Sequence, residues 1–422
     1  MALSPRLDRS RLQPGVREDV QAGLAALQQN DLESAREIFS GLLEEDPRLA
    51  AAHVGLGRVY SASGDSRKAL EHYDEALAIQ PEFPSVRMMA SKIRSELGET
   101  TDAMAGYDDL IAKSPGMSMG YMRKAQMLTN AGRADEAVLV LKDGVKHNPQ
   151  DGNLRFTYAN SMMQSGKTEE SVPEFARAID LQPDNWMALF GHGAALLRLQ
   201  QYGPARDSLT KAAKLAPDKH RVHLALGSAL AALQDWPRAA KAFDEALRVE
   251  PENVQALVGA SLARSSGGRH REALDMLLNT GRVGRRLPQV QKALGDVYLA
   301  MGRPTDALET YQAMVLNSQD GFTPEVTALA KSDANGAPEV LAKQLQDALR
   351  LQGNARGEEA RNNPQSMRER LMARRQGGGQ GGMGGGRGGG MSGGMGRGGF
   401  GGQGGGGKGG GGQGGGGMGR IG

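Results

Sequence analysis

Few residues in this 422-residue chain are spaced to do chemistry. His220 and His223 are three apart and can share one face of a helix, the spacing of a paired metal ligand. No third ligand accompanies them, so a surface or groove role is expected and no metal is assigned. The chain has no Cys, hence no thiolate nucleophile, no disulfide and no Cys-based metal centre. HExxH, P-loop and GxSxG motifs are absent. The glycine runs beyond Gly377 follow no strand and open no helix, so they are not phosphate cradles. Neither catalytic residues nor a cofactor is predicted.

What orders the remaining residues is a period. Prolines fall at Pro47, Pro81, Pro115, Pro149, Pro183, Pro217 and Pro251, each 34 residues after the last. In blocks of 34 beginning at Val16, the eighth place holds Gly23, Gly57, Ser91, Ala125, Ala159, Gly193, Gly227, Ser261 and Gly295. The twentieth place is Ala in every block but one, which has Ser171, and four residues later a large apolar residue follows, such as Phe39, Tyr73, Phe175, Phe243 or Tyr311. Small side chains let two helices approach, and the large residue one turn later fills the space beside the contact. Each block is therefore read as a helical hairpin. Ser63-Gly64-Asp65, Ala131-Gly132-Arg133, Ser165-Gly166-Lys167 and Met301-Gly302-Arg303 end first helices, and the periodic proline ends the second, because its ring cannot continue the ladder.

The pattern resembles that of tetratricopeptide-repeat (TPR) proteins, whose 34-residue helix-turn-helix consensus matches these positions over residues 16–321. The departures are Arg285 and Gln319 where Pro is expected, an aromatic in the fourth place only at Tyr121, and Pro173 inside a second helix, where a bend is expected. The resemblance implies an all-α fold, a right-handed α-solenoid of hairpins. The expected units are 16–49, 50–83, 84–117, 118–151, 152–185, 186–219, 220–253, 254–287 and 288–321, after an N-terminal extension at 1–15. Beyond them, Pro324, Pro338 and the one-faced set Leu341, Leu345, Ala348 and Leu349 predict a degenerate tenth hairpin over 322–351, which caps the stack. A polar, basic linker (352–375) and a disordered glycine-rich tail (376–422) complete the expected organisation. As a coil the tail would span about 40 Å end to end.

The resemblance also implies a groove lined by places 2, 5, 6, 9, 12 and 13 of each first helix. Units three to six supply Met88, Met89, Lys92, Met119, Met122, Arg123, Gln126, Phe156, Asn160, Met163, Met187 and Phe190 there. Thioethers are flexible and polarizable, and a concentration of them suits tolerant recognition of a helix or an extended peptide. The competing use of each Met is to fill gaps between helices. Co-chaperones of this family clamp a C-terminal carboxylate with Lys at place 5 and Asn at place 9; this chain offers Phe156 with Asn160 and Met122 with Gln126, so the clamp is absent.

Net charge is +3, and four basic residues lie in the last 47, where there is no acid; the preceding 375 carry 47 basic and 48 acidic side chains. The repeats are neutral, and the basic character belongs to the tail. There "GRGG" (386–389) and "GRGGF" (396–400) resemble the Arg-Gly-Gly boxes of RNA-binding proteins, in which guanidinium groups pair with phosphates and stack on bases. Arg368, Arg370, Arg374 and Arg375 join Arg387 and Arg397 as the candidate nucleic-acid contacts. The expected function is a non-enzymatic scaffold or adaptor that holds a partner's peptide or helix; the alternative is an RNA-associated factor using its C-terminal segment. With no apolar run suited to a secretory signal or a membrane span, a cytoplasmic protein is expected.

Overall fold

The computed structural model describes residues 14–317, 322–332 and 337–362. Among them are helices and no strand. Sixteen helices make the first eight hairpins: α1 (Pro14–Gln28) with α2 (Leu32–Glu45), α3 (Ala50–Ala62) with α4 (Ser66–Ile79), α5 (Pro84–Glu96) with α6 (Thr100–Lys113), α7 (Ser118–Asn130) with α8 (Ala134–His147), α9 (Gly152–Gln164) with α10 (Thr168–Leu181), α11 (Trp186–Arg198) with α12 (Tyr202–Leu215), α13 (His220–Ala232) with α14 (Trp236–Val249), and α15 (Val254–Ser266) with α16 (His270–Leu278). After the short α17 (Gly281–Gly284), α18 (Pro288–Ala300) and α19 (Pro304–Leu316) form the ninth; α20 (Pro324–Ala330) and α21 (Pro338–Asn362) follow. Apart from the short α17, which α16 bypasses to pack on α18, each helix packs on the next along the chain, giving an α-solenoid.

The small-then-large order has a direct steric cause. A Cβ built on Gly23 would lie 2.6 Å from the Phe39 ring, and one built on Gly55 would lie 2.5 Å from it on the other side. Phe243 is held in the same way between Gly227 and Gly259, at 2.7 Å each. The large residue of a second helix is thus clamped between the first helix of its own unit and that of the next, and Phe39 is fully buried. Where the eighth place is the larger Ser91, its neighbour shrinks instead: a Cβ on Gly106 would meet Ser91 Oγ at 2.1 Å. One ring therefore joins two units, which couples each hairpin to its neighbour.

The turn inside each hairpin is set by one residue. The fifteenth place has a positive φ in all nine units: Gly64, Gly98, Gly132, Gly166, Gly268 and Gly302 do this without a Cβ clash, while Asn30, Gln200 and Gln234 reach φ near 60° with one. Acidic or amide caps start several of the helices that follow, as where Asp65 Oδ1 accepts from Lys68 N at 3.2 Å and Asp151 Oδ1 from Leu154 N at 3.0 Å. α10 runs unbroken through Pro173, so that proline does not end it.

Two parts depart from the expected register. The second helix of unit eight stops at Leu278, and Gly281 adopts a φ of 74°, so α16 has 9 residues where α14 has 14. The end of the array is not a tenth hairpin in register. The long α21 packs on α19 and also touches α18, as the first helix of a following unit would, while α20 bridges to it. Leu341, Leu345 and Leu349 are buried against the last core beside Tyr311 and Met314. With no proline between Pro338 and Pro364, α21 continues to Asn362, beyond the expected end of the cap at 351.

Candidate partner-binding groove

The structure groups the predicted residues of units four to six around two cavities. One, of about 280 Å³, is lined by Phe156, Asn160, Met163, Met187 and Phe190. The other, of about 500 Å³, is lined by Met119, Met122, Arg123, Gln126 and again Asn160. Asn160, half-buried on α9, is the residue they share. Met88, Met89 and Lys92 lie a hairpin earlier on α5 and line neither cavity. Met89 packs against the core of units two and three, and Lys92 pairs with Glu96 at 3.3 Å on the exposed surface. Among these three, the gap-filling use of Met therefore accounts for Met89.

Packing and exposure divide the rest. Phe156 is tilted against the buried Phe175, ring centres 6.1 Å apart, and Met163 joins it on that core. Met122 packs on the core of units four and five, where Thr157 Oγ1 donates to its sulfur at 3.5 Å. These side chains are anchored at the base and offer one flank to the cavity. Met187 is 45% exposed, which leaves its thioether free to move. Arg123 Nη1 donates to Gln126 Oε1 at 3.2 Å, so the two form one polar edge of the larger cavity.

Sequence reasoning missed Trp186 and the cations of the facing helix. Trp186, at the first place of its block, lines the smaller cavity together with Lys219, His220 and Arg221 at the start of α13. An aromatic directly before Met187 was the available signal. His220 and His223 are not brought together as ligands: His220 Nε2 is 3.1 Å from Glu250 Oε2, while the buried His223 turns its Nε2 to the Pro217 carbonyl, 3.0 Å away. Among the described residues no group of three or more His, Asp or Glu is placed to hold a metal ion.

His223 belongs to a repeated device at the fourth place. His53 Nε2 meets the Pro47 carbonyl at 3.1 Å, Arg155 donates to that of Pro149 at 3.1 Å, and Arg87 to that of Pro81 at 2.5 Å. A long polar side chain here satisfies a carbonyl that the proline-broken helix end leaves without a partner. In unit nine the ninth place, Asp296, is closed off: it accepts from Tyr311 Oη at 2.6 Å and from Gln346 Nε2 of α21 at 3.0 Å. Burial, together with this carboxylate, pushes the Tyr311 phenol far above its ordinary range. The cap thus covers the last groove position. The candidate nucleic-acid contacts Arg368, Arg370, Arg374, Arg375, Arg387 and Arg397, and Gln319, lie outside the described residues.

Hairpins stacked in a single register around clamped rings define the class: a helical repeat scaffold that offers its surface to other proteins. Two family models, both described as tetratricopeptide repeat, match residues 23–82, and residues 158–220 and 224–280. The chain is a tetratricopeptide-repeat protein. It is similar to MamA from Desulfovibrio magneticus RS-1, at 22% identity over 40% of this chain and 95% of that one, with a TM-score of 0.38. It is also similar to YrrB, described as a TPR protein with an unusual peptide-binding site, at 19% identity over 44% of this chain and 97% of that one, with a TM-score of 0.37. Against the C-terminal part of a TPR repeat-containing protein from Cytophaga hutchinsonii the values are 12% identity, 57% and 98%, with a TM-score of 0.49. No curated protein matches the chain. No helix among the described residues is long and apolar enough to cross a membrane.

Proposed function

We propose that the chain is an adaptor that holds an apolar peptide or helix of a partner protein along α7, α9 and α11 and so supports assembly of a multiprotein complex. The observation that carries this reading is the smaller cavity: two Met and three aromatic side chains line it, with Asn160 and the cations of α13 at its edge. Apolar burial supplies affinity, and the few polar groups fix the register of the bound chain. A movable thioether in such a wall accommodates more than one side-chain shape. Met187→Glu places a charge at the most exposed apolar wall residue without touching the core. Pull-down from native cells with wild type and variant, read by mass spectrometry, is expected to show partners lost from the variant at unchanged helix content; an identical partner set overturns the reading.

A further inference from the structure

A cavity larger than either of the two in the groove lies outside it. It measures about 880 Å³ and lies between α12 and α14, over α13. There α13 contributes places 4, 7 and 11, the helix face opposite the groove places 5, 9 and 12, so the cleft opens on the reverse side. Its cause is local. In unit five the same space is filled, because Arg155 at the fourth place reaches Glu174 on α10 at 2.7 Å; in unit three Arg87 reaches Asp109 on α6. In unit seven the fourth place is His223, drawn to the Pro217 carbonyl, and the residue equivalent to Glu174 is Ala242. A shorter ring, an alanine in place of Glu174, and a Glu245 (the equivalent of Asp109) that pairs with Arg248 leave the space open.

The walls are cationic. Arg206, Lys211 and Lys214 come from α12, and Arg238 and Lys241 from α14. Arg206 is paired with Asp207 at 2.7 Å, and Arg238 with Asp235. Among the described residues no carboxylate lies within ion-pair distance of Lys211, Lys214 or Lys241, all three of them exposed, and Glu245 acts on Lys241 only at longer range. Lys211 and Lys214 are one turn apart on one helix, an arrangement of like charge that opposes folding unless an anion relieves it. The remaining acid, Glu245, is tied to Arg248 at 2.8 Å. The floor is apolar, with Leu226 and Leu230.

We propose that this cleft binds an acidic segment of a protein partner, its carboxylates on Lys211, Lys214 and Lys241 and an apolar side chain on the Leu226–Leu230 floor. A nucleic acid fits less well: no Phe, Tyr or Trp lines the cleft for base stacking, the one imidazole, His223, is buried and turned to the Pro217 carbonyl, the cations are confined to neighbouring turns of two helices, and Asp207 and Glu245 interrupt any continuous phosphate track. The site is independent of the groove, so each proposal can fail alone.

The test uses the full chain and a fluorescein-labelled peptide of alternating Glu and Leu, followed by fluorescence anisotropy at two salt concentrations. Wild type is expected to bind with an affinity that falls steeply with salt, as contacts between exposed charges do. Replacing all three lysines (Lys211→Glu, Lys214→Glu, Lys241→Glu) is expected to weaken binding at least tenfold, the corresponding triple change to Arg to retain it, and Met187→Glu to leave it unchanged. If the triple Glu variant loses helix content, Lys241→Glu alone is read in the same way. The proposal is overturned if the reversed variant binds within twofold of wild type. It is equally overturned if binding is lost only on replacing Arg368, Arg370, Arg374 and Arg375, or if an oligouridylate binds more tightly than the peptide and shows the same lysine dependence.

Discussion

Units five and seven solve one packing problem in opposite ways. Both must occupy the space between a first helix and the second helix behind it. In unit five, Arg155 and Glu174 do so with side chains only 12% and 13% exposed, and Arg177 adds a second contact to Glu174 at 2.5 Å. In unit seven, His223 and Ala242 leave a cavity with cations at its edge. A repeat fixes where backbones touch, not what is done with the volume behind the touch. The array can therefore be solid at one hairpin and carry a binding cleft two hairpins later with no change in helix placement.

The sharpest way to break the comparison is to empty unit five. Glu174→Ala leaves Arg155 with its Pro149 carbonyl contact but no carboxylate, and its Nε is already buried without a partner. Removing one member of a mostly buried pair leaves an uncompensated charge and is expected to cost about 3 kcal/mol. Urea unfolding checks this, with loss of the carboxylate that lines the unit-seven cavity, Glu245→Ala, expected to cost under about 1 kcal/mol because its partner Arg248 is exposed. Equal losses would mean that the two units are not packed differently.

The turn residues offer a second contrast of smaller size. Gly166 in unit five holds φ at 88°, whereas Gln234 in unit seven holds 60° with a side chain present. Gln234→Gly is expected to stabilise the protein by about 0.5–1 kcal/mol and Gly166→Gln to destabilise it by about 1 kcal/mol. Thermal melts of the two variants measure both, and a gain on placing Gln at 166 would show that the left-handed turn is not a source of strain.

How much of this was legible in the sequence follows from which physics repeats. The clamp of Phe39 between Gly23 and Gly55 returns at Phe243, and one side of it at Tyr73, Phe175, Leu209 and Tyr311, so the periodic small and large residues announced it. The left-handed place was half visible: six glycines mark it, and Asn30, Gln200 and Gln234 hide it, because amides tolerate a conformation that glycine merely favours. The fourth place was read as a departure from the aromatic consensus, yet His53, Arg87, Arg155 and His223 share a task there, reaching a proline carbonyl. That task could not be read from one position, since donor and acceptor lie six residues apart across a helix break. The cleft was invisible for a related reason: it is produced by two residues, His223 and Ala242, that are each ordinary and matter only in combination. At the cap, Pro324 and Pro338 do open α20 and α21, and Leu341, Leu345 and Leu349 are buried; that α21 runs on past 351 and packs on α19 was not legible, because an i, i+4 leucine pattern reads the same in either helix of a hairpin.

Between the two regions, unit six is expected to respond to pH. His192 on α11 is partly buried with its Nδ1 2.9 Å from Ser208 Oγ on α12, and burial holds the imidazole below its ordinary value. The unfolded chain therefore takes up a proton first as pH falls through about 6.5. Stability is complete above that pH and is lost progressively below it, down to the lower value that the folded state imposes. Because each hairpin of an array is stabilised by its neighbours, protonation at unit six loosens the contacts on both sides. Melting temperature measured from pH 7.5 down to 5.5 is expected to fall less in His192→Gln than in wild type, and amide exchange at pH 5.5 to quicken first in α11 and α12. Parallel curves for the two proteins would place the acid sensitivity elsewhere and leave units five and seven coupled through a rigid hairpin.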